Sequence, residues 1–327
     1  MLFVLSGLVL LVLLFFVDAD YTTYILHWYR KKFLKNSFRK KTIWILGASS
    51  GIGECLAYEL VKDGAHRLIL SSRRQEELER VKKNCSVLNS GCDVVIRSLD
   101  AIKSINPETV QDNDAIADDL FQRYNDINIV VLNLGGSQRG LAMDTDLSLY
   151  KTVFQLNTLS VIELARTFVR AVRKRNKTSH RHLIAVTSSM AGKIGSPGQP
   201  AYTTSKHALN GLFDSLRIEL APESFRVSIV CPGPTHVTTS STQGFGNSPD
   251  ESSGRLSDDK NSKKKMSTQR CAELYATALY FNLHEAWLCQ APTLIYGYFR
   301  QYLPVLFVPL STMFGQGQLH HYAKKKN

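Results

Sequence analysis

Tyr202 and Lys206 stand four residues apart in "AYTTSKHALNG", residues 201–211, a stretch that reads as a helix. Side chains four apart on a helix face the same way, which sets an ammonium beside a phenol. A phenol ordinarily loses its proton near ~10, and a neighbouring positive charge favours the phenolate. The pair can therefore serve as a general acid and base that exchanges a proton with a substrate oxygen. Spacing alone proves little in a chain with 13 tyrosines, so the neighbouring motifs decide.

A second constellation lies in "WILGASSGIGE". Gly47, Ser49, Ser50, Gly51, Ile52 and Gly53 follow an apolar strand-like run and precede a helix expected to begin near Ile52. Gly47 permits a tight turn and Gly51 a close backbone approach to a pyrophosphate, while the helix amino terminus offers unpaired N–H groups. The next strand-like run, "LILSS", ends at Ser72 and is followed by Arg73 and Arg74. An acidic residue there suits the ribose of NAD, whereas arginine suits the 2′-phosphate of NADP. NADP(H) is therefore the expected cofactor; the competing reading makes both arginines solvated residues that open a helix at 75–84.

The elements that position these groups follow an alternating pattern from residue 42 onward. "TIWILG", "RLILSS", "DVVIRSL", "INIVVLNLG", "HLIAVTSS", "RVSIVCPG" and a weaker "TLIYGY" read as buried parallel strands between amphipathic helices,. That rhythm predicts a Rossmann-like doubly wound α/β sheet in a single catalytic domain, residues 42–290. Residues 236–265 are rich in Ser, Gly, Asp and Lys and cannot order on their own apolar content, so they are expected to form a mobile polar lid.

Taken in order, the glycine turn, the arginines, "VLNLGG", "VTSSMAG", Tyr-x-x-x-Lys and "CPGP" resemble the short-chain dehydrogenase/reductase family from residue 42 to about 290. The resemblance implies that Ser189 hydrogen-bonds the reacting oxygen, that Tyr202 moves its proton, and that Lys206 also holds the nicotinamide ribose. It assigns Asn157 to a proton-relay water and Asp100 to the adenine. It places Asn133 and Gly135 in the family's Asn-Asn-Ala-Gly turn and Pro232, Gly233 and Thr235 or Thr238 beside the nicotinamide. It implies hydride transfer between a carbonyl and an alcohol, and a homodimer or homotetramer. Leu46 and Leu134 depart from the family's Thr and Asn, which bears on cofactor affinity and motivates a second reading: a catalytically idle dinucleotide-binding membrane scaffold.

The chain ends point to a membrane. Residues 1–17 are apolar and uncharged, slightly short of the ~20 needed to span a bilayer,. The basic, aromatic segment 18–41 reads as a juxtamembrane flank that leaves the catalytic domain in the cytosol. Cleavage near Val17-Asp18-Ala19, giving a secreted or lumenal protein, is the rival reading. Residues 291–327 combine an apolar, proline-broken stretch facing membrane or substrate with a Lys324-Lys325-Lys326 tail similar to an endoplasmic reticulum retrieval signal. Within the family, the anchor and motifs are similar to an endoplasmic reticulum group associated with retinoid and steroid carbonyls, other ketones and quinones, so a lipophilic substrate is expected. The net charge of +12 is scattered through separate segments, which argues against a nucleic-acid partner. The six cysteines have no metal-site spacing,, so no metal is expected.

Overall fold

The structure, a computed structural model, describes residues 15–105, 112–124, 127–175, 181–223, 225–236, 243–255, 265–309 and 311–312. Its centre is a seven-stranded sheet of β1 (Thr42–Leu46), β2 (Arg67–Ser71), β3 (Asp93–Ile96), β4 (Ile129–Leu132), β5 (His182–Thr187), β6 (Phe225–Pro232) and an edge strand at Glu285–Leu288. All pairings are parallel. The order, edge strand-β6-β5-β4-β1-β2-β3, reverses direction between β1 and β4, where open α/β sheets bind ligands beyond the strand carboxyl ends.

Sequence periodicity explains the layers. Along β1, Ile43 and Ile45 point to one face and Trp44 and Leu46 to the other, as a two-residue repeat requires. The first face packs on α2 (Gly51–Lys62) and α3 (Gln75–Leu88) through Leu56, Leu60 and Leu78. The second packs on α4 (Asn113–Tyr124), α6 (Ser160–Arg173) and α7 (Pro200–Glu219) through Phe121, Phe168 and Phe213. Every β1 residue is buried, as expected of a parallel sheet covered on both sides.

Two expectations change. "TLIYGY" is not a strand but the start of α9 (Thr293–Tyr302), and "EAWL" at 285–288 forms the seventh strand. A short apolar run does not by itself distinguish a strand from a packed helix. Residues 18–41, read as a flank ahead of the domain, carry α1 (Tyr21–Phe33), which packs against α8 (Thr268–Phe281). Asp20 starts α1 by accepting from the Thr23 N–H at 2.9 Å. Arg30, 1% exposed, faces the carboxylates of Glu59 and Asp63 and donates to Thr277 Oγ1 at 3.1 Å. Its basic character thus serves an internal charge cluster as well as a surface.

The polar insert contains β8 (Gln243–Phe245) and β9 (Ser252–Arg255), an antiparallel pair. Short β7 (Thr235–His236) and β10 (Met266–Ser267) pair in parallel on either side of it; in this numbering the edge strand is β11. Phe245 explains the docking: it packs near Leu149, Val153 and Ala201, an anchor that the average composition of 236–265 conceals. Among the described residues no helix is long and apolar enough to cross a membrane. Residues 1–14 of the expected anchor, Thr238 and Lys324–Asn327 lie outside them.

Candidate active site

The glycine turn closes directly against β4. Gly47 has φ +84°, and a Cβ there would lie 2.2 Å from the Asn133 carbonyl oxygen. Asn133 in turn donates from Nδ2 to the Gly47 carbonyl at 3.2 Å, bracing the turn from the next strand. Gly51 has φ +60° and opens α2. A Cβ on Gly53 would lie 2.2 Å from the Gly47 carbonyl oxygen. Ser50 makes no side-chain cap to α2, so the helix start keeps the donors that a pyrophosphate uses. The turn therefore fits a dinucleotide. Ile52 packs inward beside the second core, and Leu46, where the family has Thr, is a buried sheet residue.

Arg74 lies across this turn. Its Nη2 donates to Ser49 Oγ at 3.0 Å and Ser50 Oγ at 2.8 Å, whereas Arg73 is exposed. The structure thus brings one of the two arginines to the turn. Asp100 accepts from the Ile102 N–H at 3.0 Å just beyond β3.

The catalytic candidates converge at the ends of β4, β5 and β6. Ser189 follows β5 and caps a short turn by accepting from the Ala191 N–H at 3.1 Å, while its hydroxyl donates to the Pro232 carbonyl at 3.3 Å. Asn157 occupies a wide turn, Gln155–Leu159, between α5 (Leu147–Phe154) and α6; such π-bulges often mark functional positions. Its Oδ1 accepts from the Gly136 N–H at 2.7 Å, and its Nδ2 donates to the Gly136 carbonyl and to Ser205 Oγ, both at 3.0 Å. Gly135 lies between Asn157 and Lys206: a Cβ there would approach Asn157 Oδ1 at 3.2 Å and Lys206 Nζ at 3.4 Å.

Lys206 is 3% exposed, donates to the Thr187 carbonyl at 2.9 Å, and stands 5.8 Å from the Tyr202 ring centroid. Burial lowers its pKa to about 8. Burial also raises the Tyr202 phenol above its usual value, opposed by the Ser189 hydroxyl and the Arg139 charge. Burial is the largest influence on Tyr202, while the Lys206 ammonium is turned toward a backbone carbonyl,. Tyr202 is held as a neutral phenol, the form that gives a proton. Tyr202 is half-buried.

Beyond β6, the Gly233 N–H donates to the Leu288 carbonyl at 2.9 Å, and a Cβ on Gly233 would lie 2.3 Å from that of Cys289. Thr235 Oγ1 donates to the Gly233 carbonyl at 3.0 Å. Sequence reasoning missed Gln138, fully buried, whose Oε1 accepts from the Ala201 N–H at 3.0 Å. That bond secures the start of the helix carrying Tyr202. The only signal was its place in "GGSQRG", just after the Asn133–Gly135 turn.

The sequence profile of the short chain dehydrogenases matches residues 41–247. The chain belongs to the short-chain dehydrogenase/reductase family. It is 34% identical over 292 residues to human Dehydrogenase/reductase SDR family member 7, covering 86% of this chain and 79% of that relative. Its fold matches a Burkholderia phymatum short chain dehydrogenase/reductase in complex with NAD (TM-score 0.66, 20% identity, 83% of this chain and 96% of that one). It also matches an alcohol dehydrogenase from Thermococcus sibiricus complexed with 5-hydroxy-NADP (TM-score 0.61, 22% identity, 77% and 97%). The family is one of oxidoreductases that use a nicotinamide dinucleotide.

Proposed function

We propose that this chain is an NADP(H)-dependent enzyme that interconverts a carbonyl and an alcohol on a lipophilic substrate of the retinoid, steroid, ketone or quinone class, chiefly as a reductase. The observation that carries this reading is the convergence of Ser189, Tyr202, Lys206 and Asn157 beside a glycine turn crossed by Arg74. Gly47, Gly51, Gly53, Asn133 and Arg74 would hold a nicotinamide dinucleotide, which would supply the hydride. Ser189 orients the substrate oxygen, and Tyr202 delivers its phenolic proton to that oxygen. Lys206 restores positive charge beside the emerging phenolate. Asn157 lines the path by which Tyr202 is reprotonated.

We also propose attachment to the endoplasmic reticulum membrane. The exposed apolar side chains Ile25, Trp28 and Phe33 of α1, together with Tyr302, Val305 and Val308 near the other end, support contact with lipid,. The apolar 1–17 segment supports an anchor.

NADPH oxidation by the detergent-solubilised full chain, measured with retinal, steroid ketones and quinones, tests the enzymatic reading. Turnover should prefer NADPH to NADH and depend on Tyr202; undiminished turnover by Tyr202→Phe overturns the mechanism. NADPH binding without turnover of any carbonyl would favour the idle scaffold.

A further inference from the structure

The half-buried arginines of this protein mostly face carboxylates: Arg67 meets Asp93, Arg170 meets Asp114 and Glu163, and Arg270 meets Asp18 and Glu273. Arg74 and Arg139 are instead held, among the described residues, by hydroxyl and carbonyl oxygens alone. Arg74 lies on the dinucleotide turn. Arg139 donates from Nη1 to Ser137 Oγ and to the Gln138 carbonyl, both at 2.7 Å. Among the described residues no carboxylate pairs with it, and its Nε and Nη2 have no partner. A guanidinium carries five donors in a rigid fork suited to carboxylate, so neutral oxygens on one nitrogen leave most of that capacity unused.

The position of Arg139 relative to the chemistry is tightly fixed. Its guanidinium folds back to Ser137, the neighbour of Gly136, whose N–H and carbonyl both bind Asn157. Its backbone N–H donates to the Phe245 carbonyl at 2.8 Å, and the Gly140 N–H donates to the Gly198 carbonyl at 3.0 Å. Gln138 bonds Ala201, the residue before Tyr202, and its Nε2 donates to Thr145 Oγ1 at 2.8 Å. The Arg139 charge is felt at the Tyr202 hydroxyl. The Phe245 ring closes over Gly136, where an added Cβ would meet it at 3.0 Å, giving this side of the cleft an apolar wall.

We infer that Arg139 is a specificity-determining residue that receives a carboxylate on the substrate, so that, within the carbonyl class proposed above, lipophilic oxo acids are preferred over their uncharged counterparts. The inference rests on the carbonyl-reducing reading above and adds the substrate's second polar group. Phe245 and the apolar wall take the hydrocarbon, Ser189 and Tyr202 take the carbonyl oxygen, and Arg139 takes the anion. Because Gln138 links the Arg139 turn to the Tyr202 helix, the distance between anion and carbonyl is set by the fold.

The test compares acetophenone with phenylglyoxylate, 3-acetylbenzoate and 4-acetylbenzoate, which place a carboxylate at three distances from a similar carbonyl, using the solubilised full chain and NADPH. At least one acid should exceed acetophenone in kcat/KM by about tenfold or more, chiefly through KM. Arg139→Met should collapse the acid-to-neutral ratio, and Arg139→Lys should restore part of it. A wild-type ratio near one for all three acids, or a ratio unchanged in Arg139→Met, overturns the inference. If the wild type turns over none of the four compounds, the same probes are read by thermal shift with NADPH present. An acid-specific shift lost in Arg139→Met supports the anion site apart from catalysis, and its absence overturns the site.

Discussion

The protein buries two cations in opposite ways. Arg30, in the helix that leads into the domain, is 1% exposed and meets two carboxylates, a threonine hydroxyl and the Glu273 carbonyl. Lys206, in the cleft, is 3% exposed and, among the described residues, has the Thr187 carbonyl as its one hydrogen-bond acceptor. Burial without an opposing charge is unfavourable for the charged form, and the Lys206 pKa records this by falling to about 8. The first arrangement satisfies its charge within the fold; the second leaves its charge available to a reaction. Compensated charge fastens α1 to the domain, and uncompensated charge marks the cleft.

The contrast can be broken most forcefully at Arg30. Arg30→Met leaves Asp63 without its cation and Glu59 with Lys31 alone, and should cost about 3 kcal/mol in urea unfolding. A change below about 1 kcal/mol would mean that the cluster contributes nothing net.

His27 sharpens the picture through pH. It lies beside Arg270 and Arg30, and burial and those cations lower its pKa to about 4 from 6.5. The unfolded chain therefore binds more protons between these values. Stability contributed by the neutral ring is complete above pH 6.5 and is lost as pH falls toward 4, by up to about 3 kcal/mol. His27→Gln should flatten this part of the stability profile.

Lys206→Met should move stability and activity in opposite directions. Because the folded pKa of Lys206 is depressed, the wild type gains stability as pH rises from about 8 to the usual 10.5,. Below pH 8 the variant should be more stable by about 1–3 kcal/mol, after allowing for the lost Thr187 bond, while turnover falls by roughly 10²-fold or more. Equal losses of both would remove the distinction between the two cations.

The smallest stability effect belongs to Arg74→Ser, expected within about 0.5 kcal/mol because, among the described residues, the Arg74 side chain is held only by Ser49 and Ser50,. Its KM for NADPH should nevertheless rise about tenfold, with the KM for NADH nearly unchanged.

Much of this architecture was legible because its signals are local. The first six strands announced themselves as short buried runs, and the glycine turn, Ser189, Asn157, Tyr202 and Lys206 lay in ordered motifs. The seventh strand was hidden because "EAWL" is only four residues long, and the more apolar "TLIYGY" nearby packs as a helix through Leu294 and Gly297. The roles of Arg30, Gln138 and Phe245 depend on partners 29 or more residues away, which no local pattern encodes. The effect of burial on Tyr202 was not legible for a related reason: i,i+4 spacing reports which groups are neighbours but not how far water is excluded from them.

Asp20 grips the last strand of the sheet with both backbone and side chain: its N–H reaches the Trp287 carbonyl at 2.9 Å, and its carboxylate receives the Trp287 N–H at 2.8 Å. Trp287 in turn lies against Tyr298 and approaches Gly297, which also abuts Met190, the residue after Ser189. Mechanically, residue 20 is a weld rather than a leash: a load applied to the chain ahead of it enters the sheet edge and, through Trp287 and Gly297, reaches Met190 beside Ser189.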